Sequence, residues 1–125
     1  TINWVVLSLA PSILWEKRCA FCAENAANSD ISSLTIEERM GTKALKRMYD
    51  EIPGKPQRQI LNLHPSYPTN PQAEVLVFDI IEPEKIKAVI FKDRVCQSFY
   101  RGIMKSEIQS VDVDYFSARN DYMYW

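Results

Sequence analysis

A single carboxylate, Glu74, stands where a proline-studded loop runs into an apolar strand, in the stretch HPSYPTNPQAEVLVFDI (residues 64–80). A glutamate there faces either the solvent side of an edge strand, the commoner case, or a cleft beside the strand. In a cleft, an ionised carboxylate can hold a sugar hydroxyl or stabilise a developing cation. Spacing alone leaves both open. Glycosidase chemistry would want a companion carboxylate nearby, and none follows before Asp79.

The other reactive side chains are sparse. His64 is the only histidine, so any Cys–His nucleophile pair would have to use it; a plain surface role is about as common. No Gly-x-Ser-x-Gly elbow is present. With three glycines in the chain, there is no room for a GxGxxG or P-loop phosphate cradle. The CAFC stretch places Cys19 and Cys22 in a CxxC. A structural zinc needs four ligands, and only His64 and Cys96 remain to complete the set, neither at a paired spacing. Residues three apart on a strand point to opposite faces, so the two thiols are expected to be small buried side chains. No metal site is expected.

The elements that must position Glu74 follow from pattern. INWVVLSL (residues 2–9) reads as a buried strand, and Pro11 opens a helical turn. RCAF reads as a short strand, followed by a short helix in AENAANSDISS. SLTIEERMGTKALKRMYDEI reads as one helix, with Thr35 and Glu38 as a capping box, Gly41 as a weak point and Pro53 as its stop. Residues 53–72 carry five prolines, and so long an irregular segment is more often functional than a plain connector. A strand over 73–81, a one-turn helix at Pro83, a strand AVIFK and an amphipathic helix DRVCQSFYRGIMKSEIQ follow. In that helix Val95, Phe99, Ile103, Met104 and Ile108 share one side. SVDVDYF and DYMYW are expected as closing strands. The pattern lacks the strand–helix alternation of a doubly wound sheet, which leaves α+β.

The bulk numbers fit one globular domain, residues 1–125, with 46% apolar and 25% charged residues. The net charge of −1 gives no global pull towards nucleic acid. Locally, residues 39–58 carry +4, from Arg39, Lys43, Lys46, Arg47, Lys55 and Arg58 against Asp50 and Glu51. Such a stripe can meet phosphates, although a solvated helix face is the commoner explanation. Three cysteines without a secretory leader suggest reduced thiols and a cytoplasmic setting. No apolar run is long enough for a membrane span. The start at Thr1, directly in a strand, suggests a fragment or a processed chain.

The stretch NPQAEVLV, with YPTNP before it and FDIIEPEKIKAVIF after it, resembles the DarT family of DNA ADP-ribosyltransferase toxins. There, Gln-Ala-Glu before an apolar strand carries the catalytic glutamate. INWVVLSLAPSILWEKRCAFCAENAA resembles the family's strand, turn and Phe-Thr-Asp-Gly-Asn-Ala-Ala block. VDVDYFSARNDYMYW resembles its aromatic final strand. The three blocks fall in family order and match the C-terminal two-thirds of the family. The resemblance implies an ADP-ribosyltransferase-like α+β fold, two small packed antiparallel sheets with flanking helices and NAD held between them. It implies that Glu74 binds the nicotinamide ribose and supports the oxocarbenium-like state as nicotinamide leaves. Phe21 and Asn25 would belong to the NAD site. His64, Tyr67, Asn70 and Gln72 would form the loop that reads single-stranded DNA, by stacking and amide hydrogen bonds, and the basic segment would hold the backbone. The implied system is toxin–antitoxin, with a macrodomain antitoxin as partner.

Two features depart from the family. Phe21-Cys22-Ala23-Glu24-Asn25 replaces Phe-Thr-Asp-Gly-Asn, and no Tyr-His-x-Thr-like stretch occurs, so the family's N-terminal NAD-gripping segment and its arginine are expected to be missing. They motivate a second reading: a catalytically inactive module that binds nucleic acid or protein. A third, metal or redox, reading would need Cys19, Cys22, Cys96 and His64 together.

Overall fold

The computed structural model describes residues 4–103, 109–111 and 119–125, the strand 109–111 by its backbone. Its contacts divide the chain into two compact units: residues 1–16 with 80–118, and residues 17–79 with 119–125.

The first unit holds a three-stranded sheet in the order β1-β4-β5. β1 (Val5–Leu9) pairs antiparallel with β4 (Ile86–Phe91), from Val5 opposite Phe91 to Leu9 opposite Ile86, with an irregularity between Ser8 and Leu9. β5 (Gln109–Val111) joins β4 in parallel, so this sheet is mixed where an antiparallel one was expected. The one-turn helix α1 (Ile13–Glu16) follows Pro11 and buries Ile13. Ala10, Ala88, Ile90 and Phe91 complete the buried set. Pro83 opens the expected turn as a 3-10 helix, Pro83–Lys85, and Lys85 bonds to Glu16 and to Ser12 Oγ.

α4 (Arg94–Arg101) is started by Asp93, whose carboxylate accepts the Cys96 N–H at 2.8 Å, and is capped by Gly102. The expected helix ran to residue 109; residues 104–108 lie outside the described ones, as do 112–116 of the expected closing strand. Val95, Phe99 and Ile103 are exposed, and Ile103 lies beyond the helix end. Burial pushes the Cys96 thiol above its ordinary pKa, and Asp93 adds to the shift.

The second unit holds a two-stranded antiparallel sheet, β2 (Cys19–Cys22) against β3 (Glu74–Val77), in register from Cys19 opposite Val77 to Cys22 opposite Glu74. β3 is shorter than the 73–81 reading because Arg18 closes its end. The Arg18 carbonyl takes the Phe78 N–H, and the Arg18 N–H donates to Asp79 Oδ2 at 2.7 Å. All four β2 residues are buried. α2 (Ser29–Ser32) is capped by Asn28, and α3 (Gly41–Arg47) packs on β2 through Ala44, with Met48 just beyond its end.

The expected single helix over residues 33–52 is two pieces. Thr35 and Glu38 do form the reciprocal capping box: Glu38 Oε2 accepts the Thr35 N–H at 2.8 Å and Thr35 Oγ1 accepts the Glu38 N–H at 3.2 Å. Those bonds from Thr35 hold the Glu38 carboxyl below its usual range. The box starts only a 3-10 turn, Glu37–Arg39, because Met40 is extended and Gly41 has φ of +79°. A side chain would be strained at that φ, and glycine takes it freely. The glycine is a break, not a weak helical position. DYMYW is likewise no strand: Tyr122–Tyr124 is a 3-10 turn that follows Asp121. Among the described residues, no helix is long and apolar enough to cross a membrane.

Candidate active site

Glu74 opens β3, half-buried, opposite Cys22. Its Oε1 accepts the Ala26 N–H at 2.5 Å. That donor belongs to a tight turn of β2's exit: Asn25 Oδ1 accepts the Ala27 N–H at 2.9 Å and the Asn25 carbonyl accepts the Asn28 N–H. Asn28 in turn caps α2 with its oxygen and donates its amide to Glu24 Oε2 at 2.8 Å. The sequence thus folds 24–28 into a rigid shelf, and the shelf fixes one carboxylate oxygen. Oε2 has no partner among the described residues, so the carboxylate is oriented yet retains an acceptor for an incoming hydroxyl.

The expected NAD-site residues differ in placement. Asn25 sits in the shelf, one residue from the N–H that holds Glu74. Phe21 lies in the core, 6% exposed and paired with Val75; it can shape the site from behind but has little surface to offer a ligand. Of the three changed family positions, Cys22 is wholly buried, Ala23 is half-buried and Glu24 works inside the shelf.

The loop before Glu74 is a string of hydrogen-bonded turns. His64-Pro65-Ser66-Tyr67 closes by the Tyr67 N–H to His64 carbonyl bond, 2.9 Å, with Pro65 at the position where its fixed φ suits a turn. His64 Nδ1 takes the Ser66 N–H at 3.2 Å and lies 2.7 Å from Ser66 Oγ. Accepting that N–H puts the neutral ring's proton on Nε2. The His64 and Tyr67 rings are 5.8 Å apart, and Tyr67 is 49% exposed, so the tip carries two neighbouring rings with open surface.

Asn70 is placed otherwise than a base reader at a surface. It is 6% exposed, its Oδ1 accepts the Gln72 N–H at 2.8 Å, and its carbonyl accepts the Ala73 N–H. The carboxamide shapes the two residues before Glu74; its NH₂ has no partner among the described residues. Gln72 is exposed.

Sequence reading passed over the groups that hold this loop. Thr69, 1% exposed, donates its N–H to the Met48 carbonyl at 2.8 Å and takes Arg58 Nη1 on its hydroxyl at 2.9 Å. Arg119 reaches the Pro68 and Thr69 carbonyls from further along the chain, and Asp121 holds its guanidinium. Hydrogen bonds from Arg119, outweighing burial, and a further one from Trp125 hold the Asp121 carboxyl below its ordinary range. A +4 segment gave a hint of Arg58; nothing in the pattern marked Arg119.

The six cations of that segment separate into two groups. Arg39, Lys55 and Arg58 are engaged, with the Thr35 carbonyl, the Tyr124 carbonyl and Thr69 respectively. Lys43, Lys46 and Arg47 make no ion pair or hydrogen bond among the described residues, and with Thr42 and Asp50 they line a groove of about 410 Å³.

Cys19 and Cys22 are buried thiols outside any disulfide, and burial raises the Cys19 pKa, with Asp79 adding to it. Among the described residues no three His, Cys, Asp or Glu side chains converge as metal ligands would.

The arrangement is an oriented, half-buried carboxylate at a strand start, beside a turn-built loop with exposed aromatic rings, on an α+β scaffold. The family model for ssDNA thymidine ADP-ribosyltransferase, DarT, matches residues 2–124. The chain belongs to the DarT family. The match spans nearly the whole chain, which extends the resemblance beyond the three blocks that first suggested it. Among curated proteins no significant match was found.

Proposed function

We propose that this protein transfers ADP-ribose from NAD to thymidine in single-stranded DNA, with Glu74 as the catalytic carboxylate. The observation that carries this is the half-satisfied Glu74: Ala26 N–H fixes Oε1 while Oε2 stays available. A ribose hydroxyl of the nicotinamide nucleoside is the fitting donor for that oxygen. NAD supplies an ADP-ribosyl group on a leaving nicotinamide. Glu74 holds the sugar and, being negative, gains interaction as positive charge develops on it, which lowers the barrier more than it tightens binding. The base forms its bond to the anomeric carbon as the nicotinamide bond breaks, nicotinamide leaves uncharged, and a proton is released from the base.

The loop residues take complementary parts in this reading. Tyr67, with His64 behind it, offers a stacking face for an unpaired base, and such faces contribute about 1–3 kcal/mol per base. Gln72 offers an exposed carboxamide for a base edge. Asn70 acts on the loop's shape and keeps an NH₂ for the same pocket. Asn25 holds the shelf under Glu74, and Phe21 packs behind it. Lys43, Lys46 and Arg47 meet the phosphate backbone. We place the action in the cytoplasm, where thiols such as Cys19 and Cys22 stay reduced, and regard the enzyme as a toxin whose mark a macrodomain antitoxin removes. The support for that partner is family membership.

Mass spectrometry of oligonucleotides incubated with the protein and NAD tests the reading. An ADP-ribose adduct is expected on thymidine-containing single strands and not on otherwise identical strands lacking thymidine. Single strands that bind the protein yet never gain mass would instead favour the binding-module reading.

A further inference from the structure

Among the groups that hold the loop preceding Glu74 is a clamp built from residues 119–125. Arg119 Nη1 donates to the Pro68 carbonyl at 2.6 Å and Nη2 to the Thr69 carbonyl at 2.8 Å. The same guanidinium grips Asp121 with two parallel bonds, Nε to Oδ1 at 2.9 Å and Nη2 to Oδ2 at 2.6 Å. Trp125 Nε1 adds a third donor to Asp121 Oδ2 at 2.9 Å. Asp121 is 5% exposed. The tail is itself tied down, since Lys55 donates to the Tyr124 carbonyl at 2.7 Å and lies 5.3 Å from the centre of the Trp125 ring.

Two features set this apart from an ordinary structural ion pair. First, the guanidinium spends two of its three remaining donors on two successive backbone carbonyls of the loop, so it reads the loop's conformation. A planar fork suits that task and an ammonium does not. Second, the gripped residues lie between the exposed Tyr67 and Glu74. Thr69 is bound through all three of its polar groups: N–H to Met48, hydroxyl to Arg58, carbonyl to Arg119. Asn70 then shapes residues 72 and 73. The clamp, the turn and the strand thus form one continuous chain of constraints from Arg119 to the carboxylate.

We infer that Arg119 and Asp121 are positioning residues for the target strand: they lock residues 68–69, and thereby set where the Tyr67 tip stands relative to Glu74. The inference rests on the transferase reading above for its functional consequence, while the clamp can be read without it. Asp121 acts through Arg119, by holding the guanidinium in the plane that meets both carbonyls.

The test compares Arg119→Ala and Arg119→Lys with the unaltered protein by hydrogen exchange and by steady-state kinetics. In Arg119→Ala, amide exchange over residues 66–73 should quicken roughly tenfold or more, while the β1–β4 amides of the other unit keep their rates. The KM for the oligonucleotide should rise on the order of a hundredfold, the cost of displacing a positioned group by an ångström or so, with the KM for NAD unchanged. Arg119→Lys, which retains a charge and one donor direction, should recover part of both; it also carries the comparison should the alanine variant not fold.

Unchanged loop exchange would overturn the clamp. Faster exchange with an unaltered oligonucleotide KM would reduce it to a stabilising pair and overturn the positioning role. If the unaltered protein transfers no ADP-ribose, the transferase reading fails, and the positioning inference is then judged by oligonucleotide affinity, which should fall in the same order.

Discussion

β1 and β2 are strands of similar apolar character in opposite surroundings. β2 is buried at all four positions, between β3 and α3. β1 is VVLSL, and its residues are exposed or at most half-buried along the whole strand. The two units also differ in how they fix polar groups. The unit of β1 uses an exposed pair, Lys85–Glu16, whereas the unit of β2 buries Thr69, Asn70 and Asp121 and satisfies them with arginine forks and main chain. Glu74 belongs to the second pattern. A two-stranded ribbon alone is marginal, so the precision of the carboxylate comes from what surrounds the ribbon: α3 beneath it, the 24–28 shelf beside it and the clamped loop leading into it. On the proposed reading, the chemistry sits where burial and hydrogen bonds limit motion.

The sharpest way to break this contrast is to truncate one large side chain on each strand. Phe21→Ala should cost about 3–5 kcal/mol of stability, the usual loss for a buried phenylalanine. Leu7→Ala, at a residue 47% exposed, should cost about 1 kcal/mol or less. Denaturant unfolding of the two variants measures both, and equal losses would mean that the strands do not differ as described.

The ion pairs come next. Asp121→Ala leaves the largely covered Arg119, 16% exposed, without its carboxylate and should cost about 3 kcal/mol, against about 0–1 kcal/mol for Glu16→Gln in the other unit. Acid should reveal the same asymmetry. Asp121 is held below its ordinary range chiefly by the Arg119 hydrogen bonds, so its contribution is fully present above the ordinary carboxyl value of about 4. It fades as the pH falls below that value and is lost once the pH passes the depressed one. Asp121→Asn should remove that part of the acid limb, whereas Glu16→Gln should leave it in place.

The smallest effect concerns the three unpaired cations. Replacing Lys43, Lys46 and Arg47 together with glutamine should lower the slope of log affinity against log salt for single strands by about 2, since each phosphate contact contributes about 0.7. The same replacement at the engaged cations Lys55 and Arg58 should act on loop order instead, with little change in slope.

Local rules made part of this legible. The Thr35–Glu38 box and the Pro83 turn depend on residues within four positions of one another, and the structure contains them; the strand expected from residue 73 starts at Glu74. The break at Gly41 was misjudged because composition does not distinguish a glycine in a helix from one at positive φ. INWVVLSL reads as a buried strand, and β1 is largely exposed, because an apolar run reports what a strand offers, not what covers it. The clamp was invisible for a different reason: Arg119 meets Pro68 and Thr69 across about fifty residues of sequence, and an arginine two residues from an aspartate is unremarkable in any exposed tail. Asn70 shows that residue type does not report burial. Its type suited a base reader, while its burial gives it a loop to hold. The identity of the base came from the family match and from no residue in the chain.

The central claim is that the oriented carboxylate of Glu74 drives the transfer. It is tested most directly by measuring NAD-dependent labelling of a thymidine-containing single strand by the unaltered protein and by Glu74→Gln, at matched stability. The amide can still accept the Ala26 N–H but lacks the charge. Labelling should fall by about 10²–10³ in the variant, with strand affinity retained. Equal labelling by both proteins would contradict the account.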